Sequence, residues 1–401
     1  MKVFGVIAEF NPFHNGHQYL FDTIRTRYGA DYIVVIMSGN YVQRGEPAII
    51  NKYARTQMAL NSGADVVLEL PIRYAVSSAE LFGLGGIMAL TSLNTVTHLA
   101  FGCEENTPDL EQFSAIARFL TDEPADFRAG IKKRLSNGES YPAARKNELK
   151  TCGLFSPETL KLLDSPNNIL GIEYIKGIQR TNSPLLPVLI PRTGSGHHET
   201  ASGIRKILTQ EPPGFSVLTK WMPEHAGLVL KKEWKRQCPV TADDFSAYLY
   251  YALTTHKAEY YAGRDILSYD EAARIYRLLP HFSGFTSFCH AVKSRQYAYT
   301  RVSRAMLRII LDMPQLKLET GKPLPSIPYL RLLGVKKEAS HLLSKASIPI
   351  LSKPAHGRQL SSDAADYFNW ELSANSLYYQ IPVLRYCADP VQELECSPVI
   401  C

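Results

Sequence analysis

The stretch VFGVIAEFNPFHNGH, residues 3–17, decides the fold. Val3–Ile7 is a short continuous apolar run of the kind that forms a strand buried on both faces. Asn11-Pro12 breaks it. His14-Asn15-Gly16-His17 then opens a helical pattern over 16–28. Working outward, Tyr32–Met37 (YIVVIM) and Val66–Leu70 (VVLEL) repeat the buried-strand pattern, His98–Phe101 repeats it more weakly, and Leu185–Ile190 (LLPVLI) reads as a further strand with Pro187 at an edge or bulge. Helical stretches fall between them near 51–62, 77–91 and 168–180, and another follows Ser202. Strands alternating with helices predict an α/β fold with a parallel sheet covered on both faces. Ligands on such sheets collect at the carboxyl ends of the strands, which directs attention to the residues just after each one.

The chain has 401 residues, more than the roughly 100–200 of a usual single domain. The expected division is a Rossmann-like unit over 1–220, carrying a polar helical insertion at about 105–165, and a mainly helical unit over 221–401. Prolines 212, 213 and 223 mark the boundary, and a Pro/Gly-rich break falls at 321–328. With 45% hydrophobic and 20% charged residues the sequence is neither disordered nor fibrous. No apolar run reaches the roughly 18 residues of a membrane-spanning helix, and Glu9 and Pro12 interrupt any signal-peptide layout. The 7 cysteines are scattered and read as reduced thiols of a cytoplasmic protein, forming neither a zinc site nor a disulfide framework.

Net charge is +6, unevenly spread. Residues 293–358 carry thirteen Lys/Arg against three acids, giving +10, while the remainder is −4. This asymmetry predicts a polyanionic partner for the C-terminal part.

The HxGH pattern suits nucleotide phosphates. His14 and His17 lie three apart across a first helical turn, the helix N-terminus offers backbone N–H groups, and Gly16 allows close approach. The imidazoles can donate to oxygens that gain charge as an α-phosphate is attacked. After the second strand, Ser38, Gly39 and Asn40 are placed to hold a small substrate, and Gln43, Arg44 and Glu46 share that loop, where Arg44 suits a carboxylate or a phosphate. Lys52 and Arg55 read as a solvated helix face. Glu69 and Pro71 end the third strand. Gly102 would let an adenine or ribose lie against backbone, Asn167-Asn168 open a helix, and Arg192 ends the last strand. His197-His198 lacks neighbouring ligands and is not read as a metal pair.

These segments resemble the HxGH nucleotidyltransferase superfamily, relatives of class I aminoacyl-tRNA synthetases. More closely, the sequence is similar to the tRNA(Met) cytidine acetate ligase family. The similarity is carried by GVIAEFNPFHNGHQY (5–19), MSGNYVQRGEPAI (37–49), ADVVLELP (64–71), FGCE (101–104), SPNNILGIEY (165–174), IPR (190–192) and ASGIRK (201–206). It implies a Rossmann-like ATP-binding unit followed by a helical region that binds tRNA. It also implies an activity: acetate and ATP form acetyl-adenylate, with Mg²⁺ accompanying ATP, and the acetyl group passes to N4 of the wobble cytidine of elongator tRNA(Met). The resemblance further implies ATP contacts from Ile7, Ala8, Glu9, Phe10, Asn11, Pro12, Phe13, His14, Asn15, Gly16, His17, Gln18, Tyr19 and Leu20, together with Gly102, Asn168 and Arg192. The segment around Ser202 resembles the second superfamily signature. Ser202 would cap a helix, Arg205 would hold the leaving pyrophosphate beside catalytic His14 and His17, and Lys206 would assist.

The basic segment contains a helical pattern in which Tyr297, Arg301, Arg304 and Arg308 form one stripe opposite Val302, Met306, Ile309 and Ile310. With Lys293 and Arg295 it reads as an outward face for RNA phosphates, with Tyr297 and Tyr299 available to stack on bases. Two other functions fit the same residues: a small-molecule nucleotidyltransferase releasing pyrophosphate, and a non-catalytic tRNA-binding nucleotide sensor. No stable protein partner is implied.

Overall fold

Strand β1 (Val3–Ala8) lies inside a mostly parallel sheet, flanked by β2 (Tyr32–Ser38) in register from Val3↔Tyr32 to Ala8↔Met37. The structure is a computed structural model that describes residues 1–192, 197–264, 266–314 and 324–401, with the backbone alone for 197–200. The side chains of His197 and His198, the link at 193–196, and Lys317, Glu319 and Lys322 lie outside the described residues.

A short hairpin, β3 (Tyr41–Val42) with β4 (Glu46–Pro47), follows β2. Then come β5 (Val66–Leu70), β6 (His98–Cys103) and β7 (Leu186–Pro191). Late in the chain are β8 (Leu330–Val335), β9 (Ile350–Leu351) and β10 (Val399–Ile400). The main sheet runs β10-β8-β5-β2-β1-β6-β7, with β9 beside β8. The chain builds β1, β2 and β5 in one direction and then crosses to β6 and β7. The order reverses between β1 and β6, so a crevice opens beyond the carboxyl ends of those two strands.

Alternate side chains of β1 and β2 feed two cores. Val3, Ile7, Val34 and Ile36 pack with residues of helices Ala79–Ser92 and Pro166–Thr181. Phe4, Val6, Ile33 and Val35 pack with residues of Asn15–Thr26 and Lys52–Asn61. This two-sided burial explains why the strands read as unbroken apolar runs. The expected polar insertion is helical, with segments at Leu110–Asp122, Ala125–Ser136, Tyr141–Cys152 and Pro157–Lys161.

Residues 246–264 and 266–310 contribute helices around their own core, which includes Leu249, Ile275, Phe288 and Met306. The remainder of 221–401, expected as mainly helical, also supplies strands. β8 pairs antiparallel with β5 and carries β9 and β10, so the last part of the chain completes the first unit's sheet. Helix Ser362–Tyr386 returns over the same region, where Tyr378 packs with Tyr41 and Ile72. All seven cysteines are free thiols, and among the described residues no helix is long and apolar enough to cross a membrane.

Candidate active site

The turn after β1 is tightly constrained. Phe10 adopts φ 47, a left-handed conformation costly for a bulky residue. Its ring is buried and contacts Phe13 at 5.0 Å and His17 at 4.8 Å. His14 caps the helix Asn15–Thr26 reciprocally: the Gly16 N–H donates to its Nδ1 at 3.1 Å, and its own N–H donates to Nδ1 of His17 at 3.2 Å. The two rings stack with centroids 3.7 Å apart. Because each Nδ1 accepts a hydrogen bond, the neutral tautomer of each ring carries its hydrogen on Nε2. The motif therefore presents two aligned imidazole N–H donors.

A cavity of about 1070 Å³ opens at this turn. One wall contains Glu9, His14, His17 and Tyr19, a second contains Gly102, Asn167, Arg192, Ser202 and Arg205, and a third contains Ser78, Tyr141, Arg145 and Glu173. Gln43, Arg44, Arg301, Arg304 and Arg308 complete it. Arg205 reaches back to the opening turn, donating to the Asn11 carbonyl at 2.8 Å and to Ser202 Oγ at 3.2 Å. Burial lowers its pKa from the ordinary guanidinium value. Gly102 packs closely on Arg192, since a Cβ there would lie 3.2 Å from the Arg192 stem and push it aside.

The structure sorts the expected site residues. Ile7, Ala8, Glu9, Phe10, Asn11, His14, Gly16, His17, Tyr19, Leu20, Gly102, Arg192, Ser202 and Arg205 line the cavity. Pro12, Phe13, Asn15, Gln18, Asn168 and Lys206 do not appear in its walls. Phe13 is core, and Asn15 binds the main chain of 220 and 221. Asn168 accepts from the Glu104 N–H at 2.9 Å and is buried, while its neighbour Asn167 faces the cavity. Ser202 is not an N-cap, because its helix begins at His197.

In the expected small-substrate loop, Ser38, Gly39 and Asn40 fall outside the cavity walls and are buried away from the lining. The Arg55 guanidinium donates to the carbonyls of Ser38 and Gly39, and Asn40 joins Asn375 to the Lys52 N–H. Lys52 and Arg55 are therefore no solvated face; both are fully buried. Lys52 pairs with Glu69 at 2.8 Å and Glu393 at 2.6 Å. From this loop it is Gln43 and Arg44 that reach the cavity.

The arginine stripe does not face outward as a whole. Helix Tyr299–Ile310 packs against the hairpin at Gly45, whose φ of 82 brings it against the backbone of Ser303 and Arg304. Arg301 is exposed, Arg304 half-buried and Arg308 buried, so the stripe runs from the cavity mouth inward. Arg301 pairs with Glu271 at 2.6 Å and lies over Tyr297, which is itself buried. Arg304 donates to the Gln43 carbonyl and Arg308 to that of Val76. Among the described residues neither has an ion-paired carboxylate; burial lowers both to about 10, helped at Arg304 by Arg308 and Arg301 and at Arg308 by Arg301 against the Glu271 charge. Lys293 and Arg295 are exposed. The third wall was missed in sequence. Ser78, Tyr141, Arg145 and Glu173 belong to ordinary-looking helices, and only tertiary packing assembles them.

A switch-point crevice with an HxGH turn and an arginine from a later helix defines a nucleotidyltransferase site. Residues 1–390 match the family described as HIGH Nucleotidyl Transferase, and the chain belongs to that family. Within it, the chain belongs to the tRNA(Met) cytidine acetate ligases. It is 36% identical over 368 residues to the protein of that name from Acetivibrio thermocellus, covering 88% of each chain. It is 37% identical over 350 residues to the one from Caldicellulosiruptor saccharolyticus, covering 86% of this chain and 84% of the relative. The crystal structure of Thermotoga maritima TmcAL bound with alpha-thio ATP superposes with a TM-score of 0.88 at 28% identity, covering 100% of this chain and 99% of that one.

Proposed function

We propose that the protein joins acetate to a cytidine of tRNA at the expense of ATP, through acetyl-adenylate. The observation that carries this reading is the meeting of His14, His17 and Arg205 on one cavity. ATP occupies the crevice with its adenosine toward Gly102 and Arg192. An acetate oxygen attacks the α-phosphorus in line, and the bond to pyrophosphate breaks. Acetate is already anionic, so no protein nucleophile is needed. The two Nε2–H groups donate to phosphate oxygens as charge grows, and Arg205 holds the departing pyrophosphate. Such preorganised donors contribute on the order of 10²–10³-fold each.

The acyl-adenylate then meets the N4 amine of cytidine, expected by family to be the wobble base of elongator tRNA(Met). A C–N bond forms and AMP leaves. The cavity's volume and its third wall leave room for an inserted nucleotide beside the adenylate. Arg301, Arg304 and Arg308 line the cavity, and Lys293 and Arg295 precede their helix in the chain. We read them as contacts for the phosphates flanking that nucleotide. Mg²⁺ would arrive on the triphosphate; among the described residues no three His, Cys, Asp or Glu side chains gather to hold a metal. The ion's chemistry is charge neutralisation on the phosphates. We read the cytoplasm as the compartment, where a tRNA substrate is available.

The testing experiment is acetate-dependent exchange of labelled pyrophosphate into ATP. Exchange with acetate alone supports the reading. Exchange that needs a phosphorylated metabolite instead would favour a small-molecule nucleotidyltransferase.

A further inference from the structure

Four carboxylates line the cavity: Glu9, Glu80, Glu173 and Glu271. Three are tied to cations. Glu80 pairs with Lys176 at 2.7 Å, Glu173 with Arg145 at 2.5 Å, and Glu271 with Arg301 at 2.6 Å. Glu9 differs, having no ion pair among the described residues. Its Oε1 accepts the Gln43 N–H at 2.5 Å. Gln43 is also held through its carbonyl, to which Arg304 donates at 3.2 Å. Glu9 also follows the end of β1 at the strand-order reversal, where a substrate's reacting group must come.

We propose that Glu9 is a catalytic residue: its carboxylate receives the exocyclic amine of the cytidine and takes its proton during acetyl transfer. This rests on the acetate-ligase reading given above. A carboxylate is the natural acceptor for the N4–H₂ donor of cytosine, and it disfavours a carbonyl at that position, so the residue also discriminates cytidine from uridine. The N4 lone pair is delocalised into the ring. Attack on the acyl carbon therefore develops positive charge on nitrogen unless a proton leaves. In the step, N4 bonds to the acetyl carbon, the bond from that carbon to the phosphate oxygen breaks, AMP departs as the anion, and one N4 proton passes to Glu9. The carboxylic acid then returns its proton to solvent.

The surroundings suit a base. Burial raises the Glu9 pKa above its ordinary value, and the Gln43 N–H and the charges of Arg44, Arg205 and Arg55 oppose that rise only in part. Tyr174 also faces it, and burial holds that phenol neutral. Arg55 spends its donors on main-chain oxygens, among them the Glu9 carbonyl at 2.7 Å.

The test supplies synthetic acetyl-adenylate directly, bypassing activation, and follows single-turnover transfer to tRNA across pH. The wild-type rate should rise through one ionisation as Glu9 loses its proton. Glu9→Gln keeps the acceptor for the Gln43 N–H but cannot take a proton; transfer should fall about 10²-fold or more with that rise abolished. Glu9→Asp should retain the pH dependence at a reduced rate, which a merely structural role would not produce. Transfer by Glu9→Gln at the wild-type rate, or with the wild-type pH profile, overturns the proposal. If wild-type protein transfers nothing from acetyl-adenylate, the acetate-ligase reading itself fails, a result distinct from equal activity of the two proteins.

Discussion

The guanidinium of Arg205 donates to the main-chain oxygen of Asn11 at 2.8 Å, joining helix His197–Leu208 to the turn that carries the histidines. Arg205 thus positions the turn and also faces the cavity. Arg205→Lys keeps a charge but loses the fork that spans Asn11 and Ser202. Pyrophosphate exchange should fall about 10²-fold in Arg205→Lys and further in Arg205→Ala. Wild-type exchange by the alanine variant would remove Arg205 from the chemistry.

His14 serves as both donor and helix cap, and the roles can be separated. Asparagine is a good N-cap and lacks the imidazole. His14→Asn should keep stability within about 0.5 kcal/mol of wild type, whereas His14→Ala loses about 1 kcal/mol. Both should lose exchange by about 10²-fold. Thermal melts run beside exchange assays check this; an active His14→Asn contradicts the donor role.

The arginine stripe should split by burial. Arg301→Ala should weaken tRNA binding and flatten its salt dependence by about one unit of slope. Arg308→Met replaces a buried cation with no ion pair among the described residues, so the melting temperature should hold or rise while tRNA affinity falls. A Met variant that melts lower and binds tRNA normally would make Arg308 purely structural.

The buried cluster of Lys52, Glu69, Arg331 and Glu393 ties the C-terminal segment to β5 and β8. Burial alone would raise the Glu393 carboxyl, but Lys52 and Arg331 overcome it and hold the pKa below the ordinary value. A depressed folded value contributes stability above the ordinary carboxylate range. That stability is lost as pH falls through the folded value. Glu393→Gln should cost about 3–5 kcal/mol near neutrality by stranding cations, and its stability should change less on acidification. Equal acid dependence in the two proteins would contradict this.

How much of this could be read from the chain follows from which signals are local. β1, β2, β5, β6 and β7 were legible because strands buried on both faces read as apolar runs wherever they occur. The HxGH turn was legible because strand, break and helix start are consecutive. β8 was not, since Leu330–Val335 reads as strand only once β5 offers an edge. Ser38–Asn40 occupied the expected position after β2, yet the buried Arg55 claims its carbonyls from a helix the pattern placed in water. The arginine stripe had the right spacing and the wrong surroundings, because periodicity separates two helix faces without saying that the second wall of a cleft covers one. Glu9 stood in the quoted motif all along. What distinguishes it, having no ion pair among the described residues, depends on where Lys176, Arg145 and Arg301 go.

The most direct measurement is incubation of the protein with ATP, isotopically labelled acetate and bulk tRNA, followed by nucleoside mass spectrometry of the digested RNA. The account predicts labelled N4-acetylcytidine that requires all three reactants and disappears with His17→Ala. Unlabelled cytidine throughout, or label that appears equally without ATP, would contradict it.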